Sequence, residues 1–244
     1  MHQLRISFFW AIIFLFFKVS FSTSYAETKP DFKKYTTNSE RKIAFINYVR
    51  PLIDKANIVI KEDRKFVLNL HNNIKRNKKP SELEKKKLSE LINYYKVEGS
   101  LSISKQLTEL KEKVNVFPDS LILAQAGLQS AWGTSRFSVK GNNFFGQHCF
   151  SKSCGISAKG DKKVEVAKFA SVFDSIQSYY QNLNSGDNYN KLRRLRSKEI
   201  SKLKTMDSLK LTEGLSDYST LGNVNYAKIL NKVITFNKLQ QYDH

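Results

Sequence analysis

The chain has 244 residues, of which 41 are Lys or Arg and 22 are Asp or Glu, so its formal net charge is +19 at pH 7. That length suits one folded domain, or one domain with an extension. Beyond residue 26 no stretch of the sequence is apolar enough to span a bilayer, which excludes a later transmembrane segment.

Residues 1–26 have the layout of a secretory signal peptide, with a weakly basic start. An unbroken apolar run covers Phe8–Phe17, and Ser24 and Ala26 stand at the −3 and −1 positions of a cleavage site. The run is well short of the roughly 20 residues that a transmembrane helix needs, although an uncleaved anchor is the alternative. We therefore expect a periplasmic or extracellular chain from about Glu27, with no stable transmembrane segment after cleavage.

The basic charge predicts a polyanionic partner. Loss of Arg5 and Lys18 with the signal peptide lowers the net charge to +17. A strongly basic protein seeks polyanions, and secretion favours anionic cell-envelope surfaces over nucleic acid. A solvated lysine-rich surface is the alternative, because Lys is spread along the whole chain and is especially dense over Lys75–Lys87.

The N-terminal half is predicted to be helical and to carry little chemistry. Glu27–Asn38 is polar and is expected to be frayed. Ser39–Lys75 has apolar residues at helical spacing, and Pro51 is expected to kink this helix or split it in two. A capping box at Ser81 predicts a second helix, and Ser104–Val114 is expected to form a short third one.

A buried helix is predicted to begin at Pro118 and to end near Ala131. Pro suits the first turn of a helix, and the residues that follow are apolar nearly all round, which is typical of a helix inside a core. Between the first turn and the last residues, the strongly polar side chains are Gln125 and Gln129, which share one face. A buried amide without a partner costs about 1–3 kcal/mol, so Gln129 either lines a cleft or bonds the following loop.

The second half combines a small β element with further helices. The sequence Gly141-Asn142-Asn143 is a clear turn. Phe144–Phe150 and Lys163–Phe169 are predicted to pair as a short hairpin around the cysteines. Ser171 and Asp174 form a capping box that opens a helix to Asn184. Further helices are predicted at Asn190–Arg196, Ile200–Leu211 and Asn225–Phe236.

The two cysteines, Cys149 and Cys154, are predicted to form a disulfide. An oxidising compartment makes this the default, and closing so short a loop contributes about 2 kcal/mol on the entropic account. A zinc site with His148 is the alternative, but zinc needs four ligands, or three and a water. No other histidine lies at ligand spacing, so we expect neither a metal nor a cofactor.

The segment from Leu123 to Gly146 reads LAQAGLQSAWGTSRFSVKGNNFFG. It resembles the central motif of the glucosaminidase family of peptidoglycan hydrolases, typically LAQAALESGWGTSRFAREGNNLFG. The resemblance covers nearly the whole mature chain, and it is to the Bax-like branch of that family. Four further segments carry it: SERKIAFINYVRPLI, GQHCFSKSCG, VAKFASVFDSIQSYYQNLN and GLSDYSTLGNVNYAKIL.

This resemblance implies a mainly α, lysozyme-like fold, in which a cleft separates an α-helical lobe from a small β-hairpin lobe. The implied domains are a signal peptide over 1–26, an N-terminal helical extension over 27–100 and a glucosaminidase-like domain over 101–244. The implied substrate is the glycan strand of peptidoglycan. The implied reaction is hydrolysis of a β-1,4 bond on the reducing side of N-acetylglucosamine.

The resemblance also implies a general acid, a Glu that ends the buried helix, where this chain has Gln129. A Gln does not give up a proton on a useful timescale, and loss of a general acid typically costs about 10²–10⁴-fold in rate. The sequence therefore leaves three hypotheses open. One is a secreted endo-β-N-acetylglucosaminidase that is catalytically impaired, and the second is a non-catalytic peptidoglycan-binding protein. The third is a basic protein that acts on anionic membranes through its charge, independently of the cleft.

Further candidates for the site follow from the same resemblance. Glu165 is the candidate second carboxylate, with a solvent-facing strand residue as the alternative. Tyr226 matches a Tyr expected to line the cleft, with core packing as the alternative. The substrate-binding candidates are aromatic rings that could stack on sugars and a turn that could frame the cleft: Trp132, Phe144, Phe145, Asn142 and Asn143. For Trp132, packing against the helix end is the alternative.

Overall fold

The computed structural model describes residues 28–149, 151, 154–158, 161–203, 205–218 and 223–243. The predicted signal peptide lies outside these ranges. Within them, no helix combines the length and the apolar character that crossing a membrane requires.

The described residues form a mainly α protein with one small antiparallel sheet, which confirms the predicted class. The strands are β1 (His148–Cys149), β2 (Gly155–Ala158) and β3 (Asp161–Ala167). The helices are α1 (Asn38–Lys75), α2 (Glu82–Tyr94), α3 (Ile103–Lys113), α4 (Asp119–Ser130), α5 (Arg136–Gly141), α6 (Val172–Ser185), α7 (Asn190–Leu203), α8 (Ser208–Leu211) and α9 (Asn223–Phe236). Short 3-10 turns cover Phe32–Lys34, Asp187–Tyr189, Thr212–Tyr218 and Leu239–Tyr242.

Helix α1 is continuous through Pro51, so the predicted split into two helices is wrong. A proline inside a helix removes one backbone hydrogen bond. Here Pro51 is exposed, while Phe45, Val49 and Ile53 are buried in the core on both sides of it. Burial of such side chains contributes about 1.5–3 kcal/mol each, which offsets the loss.

The segment before α1 is docked on the protein, so the prediction that it is frayed is wrong for residues 28–38. The ring of Phe32 is only 2% exposed and lies 5.5 Å from the ring of Phe45. Lys29 Nζ donates hydrogen bonds to the Ser138 carbonyl at 2.8 Å and to Asn142 Oδ1 at 2.6 Å. The buried Phe32 ring and the hydrogen bonds of Lys29 therefore anchor the segment together.

Helix α1 shares one hydrophobic core with α4 and α6. Asn57 on α1 donates a hydrogen bond to Asp119 Oδ1 on α4 at 2.8 Å and accepts one from the Tyr180 hydroxyl on α6 at 2.7 Å. These buried bonds fix α1 against the helix that carries Gln129. The predicted boundary near residue 100 stays a prediction.

The sheet has the order β1-β3-β2, with both pairs antiparallel. Strands β2 and β3 form the hairpin, and β1 pairs with the other edge of β3. The predicted strand over Phe144–Phe150 is wrong up to Gln147, and β2 was not predicted. Phe144 and Phe145 precede the sheet because both rings are buried in the helical core.

Two predicted helices over 190–211 are instead the longer α7 and the short α8. The predicted break near Arg196 does not occur. Arg193 and Arg196 are each 1% exposed and point into the protein, so α7 has a buried face made partly of arginines. Apolar periodicity does not reveal such a face.

Candidate active site

Helix α4 carries two glutamines from the core to the surface. It is apolar nearly all round, and most of its residues are buried. Its N-terminus is fixed by Asp243, whose carboxylate accepts hydrogen bonds from the Ser120 backbone N–H at 2.8 Å and hydroxyl at 2.7 Å. Gln125 is fully buried and Gln129, one turn later, is half-buried. The helix therefore delivers Gln129 to the edge of the core in a fixed position.

The C-terminus of α4 turns sharply through three residues with positive φ: Ala131 at 50°, Trp132 at 53° and Gly133 at 82°. Left-handed backbone costs about 1–3 kcal/mol for a residue other than Gly. The turn is held by the Trp132 N–H, which donates to the Gly127 carbonyl at 2.8 Å, and the Gly133 N–H, which donates to Ser130 Oγ at 2.8 Å. Such bonds over-determine the turn, so the position beside Gln129 is rigid.

Gln129, Tyr226 and Gln125 form a hydrogen-bonded chain. Gln129 Nε2 donates to the Tyr226 hydroxyl at 2.9 Å, and that hydroxyl donates to Gln125 Oε1 at 2.8 Å. Burial raises the pKa of Tyr226 to about 12, although its bonds with the two amides act in the opposite direction. The phenol therefore stays protonated and neutral at any physiological pH. The structure thus brings together Gln129 and Tyr226, two of the predicted site residues.

Gly146 closes the other side of Gln129, a contact that the sequence reasoning missed. Its φ is +65°, and a Cβ built on it would stand 3.2 Å from Gln129 Oε1. A larger residue there would be strained and would crowd the amide. The sequence signal that could have indicated this glycine was its position at the end of the turn-rich segment that contains Asn143.

Asn142 and Asn143 organise the loop between α5 and β1 with their side chains. Asn142 Nδ2 donates to the carbonyls of Phe169 and Ala170, both at 3.1 Å. Asn143 is 1% exposed, and its Nδ2 donates to the Gln147 carbonyl at 2.8 Å. The amide nitrogens of both side chains bond backbone carbonyls, and Asn142 Oδ1 accepts a bond from Lys29 Nζ. Direct binding of substrate by them stays a prediction.

Phe144 and Phe145 do not offer a ring face to a ligand, which corrects the prediction that they stack on sugars. Both rings are 0% exposed. Phe144 stacks on Phe45 with ring centroids 5.5 Å apart, and Phe145 stacks on Tyr179 at 4.1 Å. The two rings therefore fix the loop between α5 and β1 against α1 and α6, and they stabilise the site from within the core.

Trp132 packs against the end of α4, as its alternative interpretation expected. A Cβ added to Gly127 would stand 3.0 Å from the Trp132 ring, so the ring covers this glycine. Residues two apart on a helix point about 200° from each other, so the Gly127 side lies away from Gln129. Lys42 Nζ lies 5.1 Å from the ring centroid. Trp132 is half-buried, and its stacking on a sugar stays a prediction.

Glu165 lies in β3 among the residues of the disulfide loop. Its Oε2 accepts a hydrogen bond from the Gly155 N–H at 3.0 Å. It pairs with Cys149 and Ser157, and neighbouring strand residues point to opposite faces, so Glu165 faces away from the side that buries Val166. Its role as second carboxylate stays a prediction. Within the described ranges, no carboxylate hydrogen-bonds to the Gln129 amide.

Cys149 and Cys154 form the predicted disulfide, with their Cα atoms 6.1 Å apart. Their sulfurs and the Glu165 carboxylate lie within 4.8 Å of one another. Zinc binds deprotonated thiolates, which sulfurs joined in a disulfide do not supply. The group is therefore a covalent clasp of the β lobe.

Comparison with known proteins identifies the family of this fold and site. Residues 104–239 match the family model of the glucosaminidases, described as mannosyl-glycoprotein endo-beta-N-acetylglucosaminidase. The chain is 30% identical over 194 residues to Protein bax of Escherichia coli (strain K12), a match that covers 79% of this chain and 69% of that protein.

Two further relatives carry enzymatic names. The chain is 30% identical over 151 residues to the exo-glucosaminidase LytG of Bacillus subtilis (strain 168), and this covers 58% of the chain and 51% of LytG. The crystal structure of the catalytic domain of the autolysin Auto from Listeria monocytogenes is 25% identical, with a TM-score of 0.40; the match covers 64% of this chain and 87% of that one. On the strength of the family match and the Escherichia coli relative, this chain belongs to the Bax-like glucosaminidases.

Proposed function

We propose that this chain is a peptidoglycan-directed glycoside hydrolase of the endo-β-N-acetylglucosaminidase type whose hydrolytic step is impaired. One observation carries the proposal: the side chain that ends α4 at the site is the amide of Gln129, bonded to Tyr226 at 2.9 Å. The family supplies the framework of a glycosidase. Because Gln129 is an amide, it has no acidic proton to donate to the glycosidic oxygen.

The chemical argument concerns the leaving group. A glycosidic oxygen leaves only when a carboxylic acid protonates it as the bond breaks. A Glu at this half-buried helix end would have a raised pKa and would hold its proton near neutral pH. Gln129 has the same shape and donates a hydrogen bond, but it keeps its protons. The rate is expected to fall by about 10²–10⁴-fold relative to a Glu at the same position.

Glu165 is the candidate for a second carboxylate, and it is also the carboxylate that the sequence offers as a substitute acid. Its Oε2 is held by the Gly155 N–H, within the β lobe. A substrate N-acetyl group serves as internal nucleophile in some glycosidases, so a second carboxylate is dispensable there. The acid is not dispensable in the same way, because nothing in the sugar replaces it.

The proposed substrate and location follow from the family and from the N-terminal pattern. We propose glycan strands of peptidoglycan as the partner, and the periplasm or the extracellular space as the location. The exo-glucosaminidase name of the Bacillus relative supports action on the same class of sugar. Mass spectrometry of the protein recovered from its host tests the location, because cleavage after Ala26 would leave Glu27 as the first residue.

A second candidate is a non-catalytic protein that binds peptidoglycan. The observation that favours it is that Gln129 is held in place without an acid, because its Nε2 donates to the Tyr226 hydroxyl and that hydroxyl donates to Gln125 Oε1. These bonds keep the side chains of the site ordered, so the cleft can persist for binding alone, although Gln125 Nε2 is buried without a hydrogen-bond partner among the described residues. The amide of Gln129 still offers a donor and an acceptor to a sugar hydroxyl.

The experiment compares the mature chain, Gln129→Glu and Gln240→Glu on purified peptidoglycan, and measures the reducing ends released. Gln240 is exposed on the last 3-10 turn, so its variant matches the chemical change away from the site. We expect slow release by the native chain and by Gln240→Glu, and release about 10²–10⁴-fold faster by Gln129→Glu.

Each other outcome has a definite meaning. Equal, fast release by the native chain and Gln129→Glu would show that Gln129 does not impair catalysis. Sedimentation of all three proteins with peptidoglycan, without release by Gln129→Glu, would support the binding protein. If none of the three proteins sediments with peptidoglycan and none releases reducing ends, that result would contradict peptidoglycan as the substrate.

A further inference from the structure

A basic groove of about 430 Å³ lies where α1, α3 and α7 meet. Arg64 from α1, Lys111 from α3 and Arg194 from α7 line it, together with Ser197. Glu112 is the carboxylate in the lining. The groove shares no residue with the Gln125–Tyr226–Gln129 chain, so nothing in the proposed hydrolysis accounts for it.

Arg64 is the fixed cation of this groove. Its Nη1 donates to the carbonyls of Lys111 at 3.0 Å and Val114 at 2.7 Å, at the end of α3. Both partners are neutral, so they orient the guanidinium without cancelling its charge. Burial lowers the pKa of Arg64, yet a guanidinium stays charged in proteins. An orientation that is already fixed reduces the entropy that a bound anion would cost.

Lys111 on α3 and Arg194 on α7 add two exposed cations to the lining of the groove. Arg194 and Ser197 lie three residues apart on α7, so they share one face of that helix. Lys198 and Lys202, four and eight residues after Arg194, extend the same face and are exposed.

The cations of this groove have no carboxylate partner in the described ranges. The ion pairs of the described residues lie outside the groove lining and join Lys85 to Glu82, Lys87 to Asp63, Lys113 to Glu109 and Lys210 to Glu199. Three convergent cations against one carboxylate leave a local excess of positive charge. In a groove this potential is focused, because the protein walls exclude part of the solvent.

We propose that this groove binds a phosphate group carried on an anionic polymer of the cell envelope. A guanidinium fork pairs with two phosphate oxygens at once, and ammonium and hydroxyl donors from the other walls reach the remaining ones. The row from Arg194 to Lys202 suits a chain with repeated phosphates. A bilayer suits the groove poorly, because Ile200 is the apolar lining residue and is half-buried, which leaves little apolar surface to insert.

The test uses two double variants of the mature chain that lower the net charge equally. Lys111→Glu with Arg194→Glu alters the groove, and Lys79→Glu with Lys86→Glu alters exposed lysines elsewhere. Inorganic phosphate is titrated against isotope-labelled protein, and a poly(glycerol phosphate) chain is titrated by calorimetry. Thermal melting checks that both double variants fold, as expected for exposed positions.

We expect phosphate to shift the amide resonances of Ser197 and Ser201, which line the groove and are kept in every variant, saturably in the native chain and in the Lys79/Lys86 variant. The Lys111/Arg194 variant should lose these shifts and bind the polymer at least tenfold more weakly than the other variant. Equal weakening by both variants would show that overall charge alone binds the polymer, and would overturn the site. Groove-dependent binding to phosphatidylglycerol vesicles without binding to the polymer would overturn the proposed ligand.

Discussion

The Tyr226 hydroxyl accepts a hydrogen bond from Gln129 Nε2 at 2.9 Å and donates one to Gln125 Oε1 at 2.8 Å. Both bonds of this chain run from the half-buried Gln129 toward the fully buried Gln125. A protonated Glu at position 129 could donate in the same direction, whereas an ionised one would have to accept and would reverse the chain. Gln129 therefore reproduces the hydrogen bonding of a protonated acid, which explains why the site keeps its shape without one.

The first prediction concerns the hydroxyl that links the two amides. Tyr226→Phe should lower the free energy of unfolding by about 1–3 kcal/mol, because the fully buried Gln125 loses its partner. Urea unfolding should show a lower midpoint with an unchanged slope. Tyr242→Phe is the control, since Tyr242 is only half-buried and its ring contact with Arg50 survives the change. Equal midpoints for the two variants would contradict the linking role.

The second prediction concerns alkaline pH. Burial raises the pKa of Tyr226 to about 12, above the ordinary value of about 10. The folded state therefore holds this proton to a higher pH than the unfolded state does. The resulting stability is fully present below about pH 10 and is lost as the pH rises through 12. The difference in phenolate absorbance between the native chain and Tyr226→Phe should have its midpoint near 12, and a midpoint near 10 would contradict it.

The sequence predicts the parts of this fold whose causes are local. The capping boxes at Ser81 and Ser171 involve partners three residues away, and both are present in the structure. Helix α4 is predictable because a helix that is apolar nearly all round must be buried, and the four-residue spacing of Gln125 and Gln129 places them on one face. The disulfide follows from the secretory context and the presence of only two cysteines.

The parts that the sequence does not predict depend on distant partners. Phe32 is buried because Gly133, about 100 residues later, leaves room for its ring. Arg196 is buried because backbone carbonyls at the end of α3 accept its hydrogen bonds. Neither partner is visible in a window of neighbouring residues. Strand β2 was missed for a different reason, because it has only four residues, too few to show a pattern, although its partner β3 follows directly in the sequence.

The third prediction tests the contact between Phe32 and the turn after α4. Gly133→Ala should destabilise the protein by roughly 2–4 kcal/mol, since φ is +82° and the new Cβ would stand 2.2 Å from the Phe32 ring. Gly99→Ala is the matched control, because nothing lies within 4 Å of its added Cβ. The free energy of unfolding of that variant should differ from that of the native chain by no more than about 1 kcal/mol. Equal effects of the two changes in urea unfolding would place Phe32 away from the turn.

The fourth prediction concerns Arg196, whose guanidinium lies over the Phe117 ring at 4.3 Å. It donates to Asn184 Oδ1 at 2.7 Å and to the carbonyls of Glu112 at 2.8 Å, Asn115 at 2.9 Å and Lys113 at 3.0 Å. Arg196→Met should cost at least about 3 kcal/mol, because several buried oxygens lose their donor together.

Thermal or urea unfolding of Arg196→Met is compared with that of Arg194→Met. Arg194 is two residues away on the same helix but exposed, so its replacement should change the stability by no more than about 0.5 kcal/mol. A loss of similar size in both variants would mean that helix propensity, and not the buried network, sets the effect.

The fifth prediction concerns the disulfide that closes the β lobe. Replacing Cys149 and Cys154 together with Ser should lower the free energy of unfolding by no more than about 2 kcal/mol, because the loop between them is short. The local effect should be larger than the global one. The Gly155 N–H bonds Glu165 at 3.0 Å beside the disulfide, so its hydrogen exchange should accelerate while amides of α4 stay protected. Equal acceleration in α4 would show that the disulfide stabilises the whole fold, and unchanged exchange at Gly155 would show that the strands hold this loop without it.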